Sequence, residues 1–375
     1  MKSSVLIIGD GYTALSAAYF LTTAGVKEVR LLLHPTPNSG GEKAHSIHAV
    51  LSTYFDQITR INHAFSSKET GEMLRFSERA FDELITFCKE KKISCKEAKL
   101  KRIGQTPEEK EELNEGKNLL GIHGYAPKKI TWEKADFHIT GERSLSVDAK
   151  KLLEVLLKES KITPINTKVK SVEENDDSVI VTAEDGTIYE SEMVVLACHD
   201  EISNLVPFYK EVLIPYADQW NEAITGSEFL NIQEMALLKY SHIWVKSISE
   251  HEIIFGGARF LRKDAGIGEN HSEPEEKIST FITSELKNLF GCSFGEIIKS
   301  KGVVGIRACD EKPVIGPHFG SGRIFLGSGY MGNPISMGFY AGKCIAEIIN
   351  KGTCIALPRC ITPERLRSLS SETKK

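Results

Sequence analysis

Apolar positions change their period several times along this chain, and each change marks a new element. Val5-Leu6-Ile7-Ile8 is an unbroken apolar run, the pattern of a strand buried on both faces, and it stops at Gly9. Ala14, Ala17, Ala18 and Leu21 then recur at helical spacing, so a small-residue helix follows the turn. Val29-Arg30-Leu31-Leu32-Leu33 predicts a second parallel strand. Between residues 65 and 91, Met73, Leu74, Phe76, Phe81, Leu84, Ile85 and Phe87 draw an apolar stripe along a long helix. Leu152, Leu153, Val155 and Leu156 mark another over 147–157.

Strands are predicted over 165–173 and 178–183, with Asp185-Gly186 as a hairpin turn. Met193 to Ala197 reads as a buried strand returning to the first sheet. From 207 to 305 the texture changes. Ile243-Trp244-Val245 and Ile253-Ile254-Phe255, followed by Gly256-Gly257, read as antiparallel strands, and 278–289 as an amphipathic helix. Arg323 to Leu326 is a further strand, and the loop Gly327 to Gly332 opens a helix running through Ile348.

This order predicts an α/β fold. A Rossmann-type dinucleotide-binding domain with a parallel sheet in three layers carries an inserted antiparallel-sheet α+β substrate or cap domain. The expected division assigns 1–70, 145–205 and 305–375 to the nucleotide domain, and 71–144 and 206–304 to the cap. A chain of 375 residues has the length for two such cores.

The chemistry begins at Gly9-Asp10-Gly11-Tyr12-Thr13-Ala14. Gly9 permits a sharp turn and Gly11 lets the backbone approach a pyrophosphate. Ala14 sits where the dinucleotide fingerprint accepts Gly or Ala for close helix–strand contact. The helix N-terminus behind Tyr12 and Thr13 offers N–H groups and a positive dipole end to the phosphates. A glycine turn with a packing role alone is the competing reading, but strand, turn, helix and strand occur in the required order. A second glycine cluster, Gly327-Ser328-Gly329-Tyr330-Met331-Gly332, lies far along the chain, after Arg307 to Gly316. A long dinucleotide such as FAD engages both regions, with its pyrophosphate on the first turn and its ring far away. At the end of the second strand, where an acidic residue usually holds the adenosine ribose, stands His34. Imidazole cannot bridge two hydroxyls as a carboxylate does, so weaker adenosine binding or other ribose contacts are expected there.

Charge and cysteine use narrow the classes. A net charge of −4 argues against bulk nucleic-acid binding. No run approaches a membrane span, and the apolar N-terminus leads straight into Gly9 rather than a cleavage site. Eight scattered cysteines without a CxxC pair fit a cytoplasmic protein with free thiols, and no metal site is expected. The run Lys89 to Arg102 is lysine-rich; it reads as a solvated surface or as a local polyanion contact.

These motifs resemble the D-amino-acid oxidase-like family of FAD-dependent amine oxidoreductases over nearly the whole chain. The resemblance rests on several segments: Gly9-x-Gly11-x-x-Ala14, Gly40-Gly41, Val169-x-Ser171-Val172-Glu173 and Val194 to Ala197. It continues through Pro215 to Gln219, Gly256-Gly257 and Gly305-Ile306-Arg307 up to Gly332. Cys198-His199 departs from it, since the family usually has Gly after Ala197. The resemblance implies non-covalent FAD, although Cys309 lies close to the covalent attachment region of some members. It places cofactor contacts at Gly9, Gly11, Tyr12, Thr13, Ala14, His34, Gly41, His45, Ser46, Val169, Ala197, Gly327, Gly329, Tyr330, Met331 and Gly332.

By the same resemblance, Arg307 is the expected carboxylate clamp, with structural pairing to Asp310 or Glu311 as the alternative. Tyr330 is either a pocket residue or packing. The implied reaction oxidises a C–N bond of a small amine or amino acid and hydrolyses the imine, with oxygen or a carrier taking the electrons. Two other readings remain open. Segments 126–141, Gly256 to Phe260 and Pro363 to Leu366 resemble a branch that removes a carboxymethyl group at the tRNA wobble uridine. Alternatively, the altered His34 and Cys198 positions belong to a non-catalytic flavin-fold assembly factor.

Overall fold

The computed structural model describes residues 2–34, 50–126, 128–131, 136–225, 235–291 and 294–369, with backbone alone over 128–131, 136–141 and at 294. The first sheet grows from the apolar runs. β1 (Lys2–Ile8) pairs in parallel with β2 (Val29–Leu33) on one side and β10 (Ile188–Leu196) on the other. β7 (Ile165–Asn166) extends it past β2, and β17 (Ile324–Ser328) past β10, both parallel. β16 (Val314–Pro317) closes one edge antiparallel, and the hairpin of β8 (Val169–Glu174) and β9 (Val179–Ala183) pairs with the start of β10. The expected single strand over 165–173 is therefore two strands, one in the parallel run and one in the hairpin.

Helices cover one face of this sheet and the hairpin the other, giving three layers. α1 (Tyr12–Thr23) presents small buried residues to its neighbours, which lets α8 (Pro334–Lys351) cross it closely. A Cβ at Gly342 would stand 2.6 Å from the Thr13 carbonyl, so only glycine permits this crossing. α3 (Ser67–Glu90) and α5 (Ala149–Ser160) pack into the same core. α3 starts at Ser67 because Ser66 and Glu69 form a reciprocal capping box.

The second sheet runs β15 (Phe294–Ala308), β11 (Leu213–Thr225), β14 (Glu252–Gly257), β13 (Ile243–Ser247), β12 (Met235–Leu238), β4 (Cys95–Gly104), β6 (Asp136–Val147) and β3 (Val50–Leu51), with β5 (Lys128–Thr131) beside β6. Among the described residues, only the β12–β4 pairing is parallel in this sheet. Its two faces follow the period of two. Val245, Ile253 and Phe255 lie against α7 (Glu276–Phe290), while Trp220, Trp244 and Leu237 face the other way. Val50–Leu51 and Gly305–Ala308, which the division by sequence places with the nucleotide domain, thus pair in this second sheet.

The lysine-rich run is solvated as expected at Lys89, Lys92, Lys96 and Lys99, and departs from that surface at its end. Its second half is β4, inside the sheet, and Arg102 is buried. Arg102 and Glu142 have side chains only 4% and 2% exposed and share two 2.9 Å hydrogen bonds, Nε to Oε2 and Nη2 to Oε1. The same guanidinium donates to the carbonyls of Tyr54 (2.8 Å) and Phe55 (3.2 Å) and to Ser241 Oγ (2.7 Å). Every edge of the buried cation is satisfied, which is the condition for tolerating it there. Of the lysines, Lys91 is paired with Glu159 at 2.7 Å.

Candidate active site

The two sheets face one another across a cavity of about 560 Å³. One wall consists of helix N-termini. Gly11, Tyr12 and Thr13 open α1, and Gly327 to Gly332 with Pro334 and Ile335 open α8. Neither helix has a side-chain N-cap or an acidic residue in its first turn, so both positive ends remain available to a negative ligand. Gly9 (φ +142°) packs so tightly that a Cβ would stand 2.2 Å from the Ala197 carbonyl, and Ala197 itself donates its N–H to Ile8 O at 2.8 Å. This is a crossover that brings backbone, not side chains, to a diphosphate.

The two loops are tied together. Thr13 Oγ1 and Tyr330 Oη lie 2.6 Å apart in the core. Tyr330 folds back over Gly327, where a Cβ would stand 2.7 Å from its hydroxyl. The ring still lines the cavity while the hydroxyl is engaged by Thr13. Met331 holds a left-handed conformation (φ +51°) and Gly332 lies against the Phe55 ring. Asn333 Nδ2 donates to the Leu51 (2.7 Å) and Thr53 (3.3 Å) carbonyls, which joins the second loop to the other sheet.

His34 is fully buried, and its Nδ1 accepts the Val169 N–H at 2.9 Å. The ring proton is thereby assigned to Nε2, a buried donor that meets no acceptor among the described residues. Burial lowers its pKa from 6.5 and keeps the imidazole neutral. Val169 takes the accepting nitrogen of His34, and a single N–H donor remains. Val169 acts here through its backbone. Gly41, His45 and Ser46 lie outside the described residues.

The opposite wall comes from the second sheet. Tyr216 on β11 faces Gly305 on β15, and a Cβ at Gly305 would stand 2.3 Å from the Tyr216 ring. The ring therefore lies flat across bare backbone. Trp244 does the same over Gly256, directly opposite it in the register, with a hypothetical Cβ 2.6 Å from the indole. Arg307 lies two residues beyond Gly305, hence on the same face, and lines the cavity. It forms an ion pair with Glu311, whose carboxylate also takes two hydrogen bonds from Arg60 Nη2 at 2.7 and 3.0 Å. Asp310 instead pairs with Arg365. Of the two partners anticipated for Arg307, Glu311 is the one present.

The sequence reading misses Phe55, Asp56, Arg60, Trp220 and His242 on the cavity wall. No local motif marks them; they arrive from distant segments. Arg259 was visible only as part of the segment after Gly256-Gly257.

A glycine crossover, two open helix ends and a second sheet closing over them define a mixed α/β protein with a Rossmann-like parallel-sheet domain. The FAD-dependent oxidoreductase family (DAO) matches residues 4–348, and the chain belongs to that family, whose cofactor is FAD. Similar solved structures include glycine oxidase from Geobacillus kaustophilus (14% identity, 95% of this chain and 96% of that one, TM-score 0.75). L-proline dehydrogenase from P. horikoshii (16%, 98% and 99%, 0.75) and iminodiacetate oxidase from Chelativorans sp. BNC1 (14%, 96% and 99%, 0.72) share the fold as well. A search of curated proteins finds no sequence match. No helix among the described residues is long and apolar enough to cross a membrane.

The residues present fit FAD. The open ends of α1 and α8 suit its pyrophosphate and a negatively charged ring edge, and the orphaned His34 Nε2–H suits a ribose oxygen.

Proposed function

We propose that this enzyme oxidises the C–N bond of a small amino acid or secondary amine, with non-covalently held FAD and with oxygen or a carrier as electron acceptor. The observation that carries this reading is the placement of Arg307 on the sheet face opposite the glycine loop, across a shared cavity. When bound, FAD supplies a two-electron oxidation of the carbon beside the amine.

The chain supplies the rest. Arg307 orients a substrate carboxylate by a planar two-point contact, with Glu311 occupying one side of the guanidinium. Tyr216 and Trp244 form a flat, water-excluding wall over Gly305 and Gly256. The N–H groups of the Gly327–Gly332 loop and the α8 dipole stabilise negative charge on that side of the cavity. Tyr330 holds the loop against Thr13. The names of the similar structures, glycine oxidase, L-proline dehydrogenase and iminodiacetate oxidase, support the substrate class.

The test is anaerobic mixing of the yellow protein with a panel of amino acids and secondary amines. Bleaching of the flavin band by one class establishes the reaction. A flavin-loaded protein that none of them bleaches overturns it in favour of a non-catalytic role. Arg307→Ala is expected to raise KM for the carboxylate substrate by about tenfold or more, the loss of a charge-assisted contact; an unchanged KM removes Arg307 from the clamp role.

A further inference from the structure

Resting on that reading, we propose that Arg259 forms a second anion subsite, so that the preferred substrate is an amino acid bearing a second carboxylate. β14 ends at Gly257 (φ +95°) and is followed by Ala258 (φ +52°), two consecutive residues with positive φ. A Cβ at Gly257 would stand 2.2 Å from the His242 carbonyl, and the Ala258 N–H donates to that same carbonyl at 2.6 Å. This reversal swings Arg259 out of the sheet and onto the cavity wall.

There the guanidinium is held in one plane. Its Cζ lies 4.0 Å over the Tyr216 ring. Nε and Nη2 both donate to the Ala265 carbonyl, at 3.2 and 3.1 Å. One edge of the fork is thus spent on the protein. Nη1 meets no acceptor and no carboxylate among the described residues.

The charges around it are unequal. Arg60, Arg259 and Arg307 line one cavity. Glu311 bridges Arg60 and Arg307, and Asp56 pairs with Arg60. Among the described residues, Arg259 is the guanidinium of these three left without an ion-pair partner. Asp218, half-buried on the same wall, lies near enough to feel the charge of Arg259, but no ion pair joins the two among the described residues. The order Gly305, Tyr216, Arg259 sets this cation one aromatic layer away from the strand that carries Arg307. Two cations separated by a ring, one fixed and unpaired, suit two carboxylates on one short chain. A lone carboxylate needs only the first.

The experiment titrates flavin-loaded enzyme with glutarate and with butyrate, which is glutarate with its second carboxylate replaced by hydrogen, and follows the perturbation of the flavin spectrum. Glutarate is expected to bind on the order of tenfold more tightly, the worth of one hydrogen-bonded charge pair. Arg259→Gln is expected to remove that preference and leave butyrate binding as it was. Equal binding of the two ligands to the unaltered enzyme overturns the subsite, and so does a preference that survives Arg259→Gln. If neither ligand binds, the carboxylate-clamp reading of Arg307 falls too, an outcome distinct from equal binding. Should Arg259→Gln fail to retain flavin, Arg259→Leu takes its place as the uncharged variant, and a preference that survives it overturns the subsite.

Discussion

Thr13 and Tyr330 lie 317 residues apart and share a 2.6 Å hydrogen bond in the core. Thr13 begins the helix of the first glycine turn, and Tyr330 stands in the middle of the second. One contact therefore holds together the two regions that a long dinucleotide must span at once. Tyr330→Phe leaves the Thr13 hydroxyl without that partner and is expected to cost about 1–2 kcal/mol of stability by urea unfolding. Flavin affinity should weaken in the same variant; unaltered affinity would mean that the two loops are set by backbone packing alone.

Gly305→Ala tests the flat wall. The added methyl would stand 2.3 Å from the Tyr216 ring, so the ring has to move. Tyr216 underlies Arg259 and neighbours Arg307. The expected result is a raised KM with flavin content retained, measured by steady-state kinetics and absorbance. Loss of flavin instead would show that the wall supports the cofactor rather than the substrate.

Arg102 and Glu142 form a buried pair that ties the Tyr54–Phe55 segment to β4 and β6. Arg102→Met strands a buried carboxylate and is expected to destabilise by about 3–5 kcal/mol. Adding Glu142→Gln should recover much of that loss, which denaturation of the single and double variants would reveal as coupling.

His34 gives a pH dependence with a defined sign. Its native pKa lies below the ordinary value of 6.5, so the unfolded chain binds a proton that the native ring refuses. The native-state advantage of the neutral ring is complete above the unfolded value. It is lost as pH falls from there toward the lowered native value. Thermal melts of the flavin-free protein between about pH 7.5 and 5 should show a decline that flattens in His34→Gln.

Much of this architecture is legible in the chain order. The run Val5–Ile8, the turn at Gly9 and Gly11 and the small residues of α1 define their own local geometry, because strand burial, turn strain and helix crossing each demand particular residue types over a few positions. The paired glycine regions likewise point to a long dinucleotide, while the clamp at Arg307 is what the family resemblance implies and stands as a proposal. The sequence could not reveal that His34 spends its accepting nitrogen on Val169, 135 residues away. Nor could it show that Arg102 is buried within a run of surface lysines, or that Glu311 rather than Asp310 takes Arg307. Those outcomes depend on which groups remain unsatisfied once two sheets have closed over one cavity. A titratable side chain finds its partner by distance in space, and the spacing along the chain carries no record of it.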